Sequence, residues 1–136
     1  MGSGNGRAVE WSWDKALCGV VPPLISPLDG KGELDALAVT ALVEHVLGAG
    51  CTGLFVLGGC GEGAWLTPSQ RAAVVKEVAR AAGRRVPVLA GVMLPATGPA
   101  VEAGRQAADL GADAVVVGSP YYFGADGLAQ RRHIEA

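Results

Sequence analysis

Gly53-Leu54-Phe55-Val56-Leu57-Gly58-Gly59-Cys60-Gly61-Glu62-Gly63 joins an apolar run to a glycine-rich segment, and Thr67-Pro68-Ser69-Gln70 follows three residues later. The apolar run predicts a buried strand. Thr67 and Gln70 have the spacing of a capping box, and Pro68 takes the first helical position, so a helix is predicted to begin here. A strand, a loop and a helix in this order are typical of α/β proteins, whose active loops follow the carboxyl ends of strands.

The same order of strand and helix recurs along the chain. Val20, Leu54 and Val88 lie 34 positions apart, and Val115 follows 27 positions later. We predict strands over residues 18–21, 53–57, 86–92 and 114–117. We predict four helices, of which the first begins after Asp35, the second begins at Thr67, the third spans 99–110 and the fourth spans 128–136. The strands are apolar on both faces, which indicates a parallel sheet buried on both sides. Four such units fit an open doubly wound sheet, or half of a (β/α)₈ barrel, which takes about 250 residues when complete.

Length and composition indicate one globular domain. The chain has 136 residues, half of them hydrophobic, and a formal net charge of -2, which gives no reason to expect a nucleic acid or a membrane as partner. Residues 1–15 are predicted to form a flexible lead, which contains Trp11 and Trp13, and residues 16–136 the folded domain. No stretch approaches the roughly 20 apolar residues of a membrane span.

The cysteines give no indication of a metal site. Cys18, Cys51 and Cys60 match no zinc spacing, so we expect no bound metal. An odd number of cysteines without a secretory signal indicates a reducing, cytoplasmic location.

The glycine-rich segment formally satisfies the dinucleotide-binding pattern, as Gly59-x-Gly61-x-x-Ala64. In that fingerprint the helix opens within the glycines, so that its N-terminus meets the pyrophosphate. Here the cap comes only at Thr67, and residues 91–94 after the next strand contain no acidic residue. The context argues against a dinucleotide site.

Two motifs resemble those of one enzyme family. Gly58-Gly59-Cys60-Gly61-Glu62 and Pro120-Tyr121-Tyr122 are similar to the Gly-Thr-Thr-Gly-Glu and Pro-Tyr-Tyr motifs of the dihydrodipicolinate synthase and N-acetylneuraminate lyase family. Residues 19–28, 66–71, 87–91 and 127–128 resemble the same family, in the same order. The resemblance runs from about Cys18 to the end of the chain and covers the N-terminal half of the family's sequences.

The resemblance implies the first four βα units of a (β/α)₈ TIM barrel, a half barrel, from a class I aldolase. Such an enzyme forms a Schiff base between a lysine and the carbonyl of pyruvate or a related 2-oxo acid, and it needs no cofactor. By the same resemblance, Gly59 and Cys60 bind the substrate carboxylate through backbone N–H groups. The resemblance also implies that Tyr122 is a catalytic proton-relay residue that reaches the site of a neighbouring subunit. The family's paired hydroxyl residues are replaced here by Gly59 and Cys60.

The lysines do not fit the family's catalytic position. Lys15 precedes the first predicted strand, Lys31 lies in a turn and Lys76 lies within a helix, so the Schiff-base role is assigned to no residue. We therefore expect this chain to be inactive by itself, and whether it is an enzyme stays open. It is expected to form a homo-oligomer or to pair with a complementing half-barrel chain. The alternative is a non-catalytic assembly module, or one that binds a 2-oxo acid.

Several candidate residues also have structural explanations. The carboxylate of Glu62 could orient the loop by accepting backbone N–H groups rather than act as an acid or base. Cys60 has no histidine near it in sequence and is expected to be a small buried filler rather than a nucleophile. His45 and His133 are single helix residues, expected at the surface or in packing contacts. Tyr121, like its neighbour, could pack beneath the barrel rim.

Overall fold

A computed structural model describes residues 12–136, apart from the side chains of Lys15 and Ala16. Trp11 and most of the predicted lead lie outside the described residues, and the end of the lead forms a short helix. The elements in chain order are α1 (Trp13–Ala16), α2 (Ala36–Gly48), β1 (Leu54–Val56), α3 (Pro68–Ala82), β2 (Val88–Gly91), α4 (Thr97–Asp109), β3 (Ala114–Val116) and α5 (Gly127–Ile134).

The three strands form one parallel sheet in the order β1-β2-β3. Leu54 is paired with Val88, and Leu89 with Ala114. Parallel strands joined by helices confirm the predicted alternation of strand and helix. Each crossover brings the loop after one strand next to the loop after its neighbour.

The predicted first strand over residues 18–21 is not observed. Val20 O accepts the Thr52 N–H at 2.9 Å just before β1, and the bonds to β1 itself come later, where the Phe55 N–H donates to Pro22 O at 3.1 Å and the Leu24 N–H donates to Phe55 O at 2.8 Å. Only an isolated bridge, between Pro23 and Phe55, forms there. Pro22 and Pro23 carry no N–H, so the ladder is interrupted. The described part of the chain therefore contains three strands rather than four.

The two long helices before β2 begin where their caps predict. The Asp35 carboxylate accepts the N–H groups of Leu37 and Ala38 at the start of α2. Thr67 and Gln70 form the reciprocal capping box of α3. Gly83 ends α3 in the left-handed region, at a φ of 57°, which glycine adopts without steric cost.

The later elements differ from their predicted bounds by a few residues. Strand β2 is shorter than the predicted 86–92, and α4 begins two residues before the predicted 99. The Ala96 cap of α4 makes no side-chain hydrogen bond, so no capping residue marked this start. The Asp126 carboxylate caps α5 by accepting the Ala129 N–H at 2.8 Å.

The core lies between the sheet and the helices that cover it. It consists mainly of branched aliphatic side chains from α2, α3, β1 and β2, which are Val39, Val43, Leu54, Val56, Val74, Val75, Val78 and Val88. Strand β3 is not buried on both faces as expected. Val115 within the strand is 44% exposed, and Val117, just beyond its end, is 39% exposed. Within residues 12–136, no helix is long and apolar enough to cross a membrane.

Candidate active site

The loops that follow the three strands meet at the carboxyl edge of the sheet. A cavity of about 210 Å³ opens there, and each of the three loops contributes to its lining. The glycine-rich loop after β1 supplies most of it, Met93 follows β2 and Tyr121 follows β3. The lining residues are Leu57, Gly58, Gly59, Glu62, Gly63, Ala64, Trp65, Met93 and Tyr121. The loops that follow the strands therefore line this cavity, as expected for active loops in α/β proteins.

The glycine-rich loop turns back on itself through three backbone hydrogen bonds. The Glu62 N–H donates to Gly59 O at 3.1 Å, the Gly63 N–H to Gly58 O at 3.3 Å and the Trp65 N–H to Glu62 O at 2.8 Å. Across residues 12–136, the N–H groups of Gly59, Cys60 and Gly61 have no acceptor. Successive N–H groups without acceptors in a turn can bind an anion, because their partial positive charges add. The loop can therefore accept a carboxylate.

Close backbone contacts explain why this loop needs glycine. Leu57 adopts a φ of 60°, a left-handed conformation that is costly for a non-glycine residue. Its carbonyl group lies so close to Gly63 and Gly91 that an added Cβ would approach the Leu57 oxygen to 2.1 Å and 2.5 Å. A Cβ at Gly59, by contrast, would meet no atom within 4 Å. The loop is thus tightly packed at Gly63 and open at Gly59, where the family motif has a hydroxyl residue.

A neighbouring loop holds the glycine-rich loop in place. The Ser26 hydroxyl donates to Gly61 O at 2.7 Å, and a Cβ on Gly61 would lie 2.8 Å from Leu24 O. Both contacts come from the proline-containing segment beside β1. That segment therefore supports the candidate site although it forms no regular strand.

The predicted site residues are only partly brought together. Gly59 lines the cavity, whereas Cys60 is exposed and does not line it. Tyr122 is 76% exposed and packs edge to face against Phe123, with ring centroids 4.8 Å apart. Tyr121 lines the cavity instead, although its side chain is also 59% exposed.

Two expectations for the loop side chains differ from the structure. The Glu62 side chain is exposed and makes no hydrogen bond with the residues at positions 12–136, so it does not orient the loop as expected. Its backbone holds the turn instead, at a φ of 54°. Cys60 is an exposed thiol rather than a buried filler.

Trp65 and Met93 are cavity residues that the sequence analysis did not identify. Trp65 is 82% exposed, the most exposed of the chain's described aromatic side chains. A large aromatic residue between a glycine-rich loop and a helix cap could have drawn attention to this position. Met93 follows β2 directly and offers no comparable pattern.

Arg71 lies on α3 and contributes to a much smaller cavity. It lines a space of about 10 Å³ with Leu57 and Gly91, between α3 and α4. Partial burial of the guanidinium lowers the pKa of Arg71 from its usual value. No described side chain forms an ion pair with it.

The other candidates lie outside the cavity. His45 is exposed on α2, and His133 is buried on α5, with its Nδ1 atom 2.9 Å from the Thr97 hydroxyl. Lys31 and Lys76 line a separate groove beside α3. In the part of the chain that the structure describes, no lysine follows the carboxyl end of a strand, and no group of three His, Cys, Asp or Glu residues could hold a metal ion.

Comparison with known proteins identifies the same family over most of the chain. The family model of the dihydrodipicolinate synthetase family matches residues 16–134. An uncharacterized DapA-like lyase of Halobacterium salinarum is 44% identical over 117 residues, which are 86% of this chain and 38% of that protein. A probable 2-dehydro-3-deoxy-D-pentonate aldolase of Escherichia coli is 37% identical over 80% of this chain and 36% of its own length.

Solved structures agree with this identification. A prophage protein of the dihydrodipicolinic acid synthase family from E. coli K12, in complex with pyruvate, superposes with a TM-score of 0.83 at 33% identity. The superposition covers 86% of this chain and 39% of that one. The chain thus spans well under half the length of the relatives that it matches. Sequence and fold together place this chain in the dihydrodipicolinate synthetase family.

Proposed function

We propose that this chain supplies the carboxylate-binding part of a Schiff-base-forming lyase site, for pyruvate or a related 2-oxo acid. The proposal rests on one observation. The N–H groups of Gly59, Cys60 and Gly61 have no acceptor among the described residues, and Gly59 lines a cavity at the carboxyl edge of the sheet. Membership of the family supports it, as does the pyruvate complex of the E. coli prophage protein.

The reaction needs two groups, which are the loop that binds the substrate carboxylate and an amine that attacks the carbonyl carbon. The substrate carboxylate accepts the N–H groups of Gly59 and Cys60, which fixes the position of the adjacent carbonyl carbon. A lysine amine attacks that carbon, the carbonyl oxygen leaves as water, and the protonated imine accepts the electron pair of the C–C or C–H bond that breaks. None of Lys15, Lys31 and Lys76 follows the end of a strand. We therefore propose that this chain by itself forms no imine with pyruvate.

Proton transfer is the second requirement of the reaction. The family's first loop hydroxyl is replaced by Gly59, so one donor of the relay is missing. We propose that Tyr122 remains a relay residue and acts in the site of a neighbouring subunit. Its 76% exposure supports this role, because the side chain is free to contact another chain. General acid and base groups contribute about 10²–10⁴-fold to such rates, so the missing hydroxyl weakens the reaction.

Completion of the barrel requires more strands than the described part of the chain provides. We propose that these units form half of a (β/α)₈ barrel, in a cytoplasmic homo-oligomer or with a complementing half-barrel chain. The sheet has only three parallel strands, and Val115 is left 44% exposed. Strand β3 lies at the edge of this sheet, where unpaired backbone groups allow further pairing, and the exposed valine marks a face that is not covered.

Two measurements on the 136-residue chain test the proposal. In the first, ¹⁵N-labelled protein is titrated with pyruvate and, as the control, with pyruvamide, which lacks the carboxylate. We expect pyruvate to shift the amide resonances of Gly59, Cys60 and Gly61, and pyruvamide to leave them in place. Equal shifts with both compounds, or no shift with pyruvate, would refute carboxylate binding by this loop.

The second measurement addresses the imine. The chain is treated with borohydride in the presence of pyruvate, and its intact mass is measured. We expect no adduct, because no described lysine is placed to form one. A stable adduct of one pyruvate that peptide mapping locates on a lysine, rather than on the N-terminal amine, would show that a lysine of this chain is the nucleophile and would contradict that part of the proposal.

A further inference from the structure

The cavity beside the glycine-rich loop has an apolar outer wall. Trp65, Met93 and Tyr121 come from three different loops and line the same space as Gly59. A Trp side chain presents a large flat apolar surface, and a Met thioether packs favourably against aromatic rings. The wall therefore suits a flat apolar group held next to the N–H groups that bind a carboxylate.

The exposure of Trp65 is not explained by packing within the chain. Its side chain is 82% exposed, whereas the aliphatic residues of the core are almost fully buried. The following Leu66 is partly buried against that core, so the chain leads inward directly after Trp65. An indole left this exposed at the mouth of a cavity is available to cover a bound molecule.

The size of the cavity limits what can be bound. Its volume is about 210 Å³. An engineered apolar cavity of about 150 Å³ in another protein binds benzene, so this space accommodates one six-membered ring and a short linker.

The charge of the cavity further narrows the class of ligand. Among its described lining residues the only charged side chain is Glu62, and no Lys, Arg, His, Ser, Thr, Asn or Gln is present. A negative side chain opposes a second carboxylate or a phosphate on the ligand, and no cationic lining residue offsets this. A polyhydroxylated chain would find few side-chain partners, and its buried hydroxyls would be costly.

We propose that the site selects 2-oxo acids that carry an aromatic ring over pyruvate itself. The inference rests on the proposed function, since the carboxylate is bound by the N–H groups of Gly59 and Cys60. The ring lies against the indole of Trp65 and the thioether of Met93. Trp65 is then the residue that determines specificity.

The test compares phenylpyruvate with pyruvate, the same compound without the ring, by isothermal titration calorimetry. We expect phenylpyruvate to bind the chain about tenfold or more tightly, because burial of one ring in an apolar pocket is worth at least that factor. Trp65→Ala is expected to remove this preference, so that the ratio of the two Kd values falls to about one. Trp65→Phe, the matched control, is expected to retain most of it.

The variants report on binding rather than on folding, because Trp65 is too exposed to contribute much to the core. An unchanged thermal melt for both variants checks this. A direct readout is the indole N–H resonance of Trp65, assigned by its loss in Trp65→Phe. Phenylpyruvate is expected to shift this resonance, and pyruvate is not.

The outcomes separate this inference from the proposed function. If both compounds bind with equal Kd, or if Trp65→Ala leaves the preference intact, the aromatic specificity is refuted and the carboxylate site stands. If neither compound binds, the carboxylate site fails and the specificity fails with it. If Trp65→Ala changes only the oligomeric state, measured by light scattering, the exposed indole belongs to an interface between copies and the proposal is overturned.

Discussion

Replacing Gly63 with alanine tests whether the glycine-rich loop is closed by contact between backbone atoms. The new Cβ would lie 2.1 Å from the Leu57 oxygen, 2.6 Å from its carbonyl carbon and 2.8 Å from its Cα. Non-bonded carbons pack at about 3.5–4.0 Å, so the loop or the end of β1 has to move by about 1 Å. No flexible side chain is available to absorb the movement, and Leu57 already has a φ of 60°.

The expected loss of stability follows from this contact. Overpacking in a core costs about 1–3 kcal/mol, and we expect about 2–3 kcal/mol here because backbone atoms must shift. For a chain of this size that corresponds to a decrease in Tm of roughly 6–12 °C. Gly59→Ala in the same loop is the matched control, since its Cβ would meet no atom within 4 Å. We expect that variant to stay within about 0.5 kcal/mol of the parent.

Thermal unfolding followed by circular dichroism measures both variants, and urea unfolding checks the free energies. The reasoning is refuted if Gly63→Ala melts within about 1 °C of Gly59→Ala, since the Tm scale makes that a difference of well under 1 kcal/mol. In that case the approach of Leu57 O to Gly63 does not constrain the loop.

Three further predictions concern contacts that hold the elements around the site. Asp113→Ala is expected to lower the unfolding free energy by about 1.5–3 kcal/mol, because its carboxylate accepts the Val88 N–H at 2.9 Å between β2 and β3, and chemical denaturation measures the loss. Thr67→Ala is expected to cost about 1 kcal/mol through loss of the α3 cap, and Thr67→Ser is expected to restore most of it in the same assay. Hydrogen bonding to the Arg85 guanidinium lowers the pKa of Glu44 in the folded chain. The stability that this pair contributes is therefore present above the unfolded pKa of about 4.3 and is lost as the pH falls through the folded pKa. The Tm values of the parent and of Glu44→Gln should converge in acid. A difference in Tm that stays constant with pH would contradict this.

Local interactions made the starts of α2 and α3 predictable. The Asp35 and Thr67 caps act within three residues of themselves, and both helices begin where these residues stand. The left-handed turn at Gly83 likewise needs only a glycine. Such features are set by the chain's own neighbours, so the sequence is sufficient to locate them.

The long-range pairing of the first segment was not predictable in the same way. Residues 18–21 have the apolar composition of a strand, yet the hydrogen bonds to β1 begin later, at Pro22 and Leu24. Pro22 and Pro23 lack the N–H groups that a regular ladder needs. Which of the remaining carbonyl groups accept hydrogen bonds depends on the position of β1. This segment also supplies the Ser26 hydroxyl that holds Gly61.

The sequence by itself determined the family, the alternation of strand and helix, and the loop in which the free N–H groups lie. These depend on residue type and order along the chain. Only the tertiary structure decided that Tyr121 rather than Tyr122 lines the cavity, and that Trp65 and Met93 complete its wall. The reason is geometric, because side chains from three separate loops share a cavity only once parallel pairing has set β1, β2 and β3 side by side.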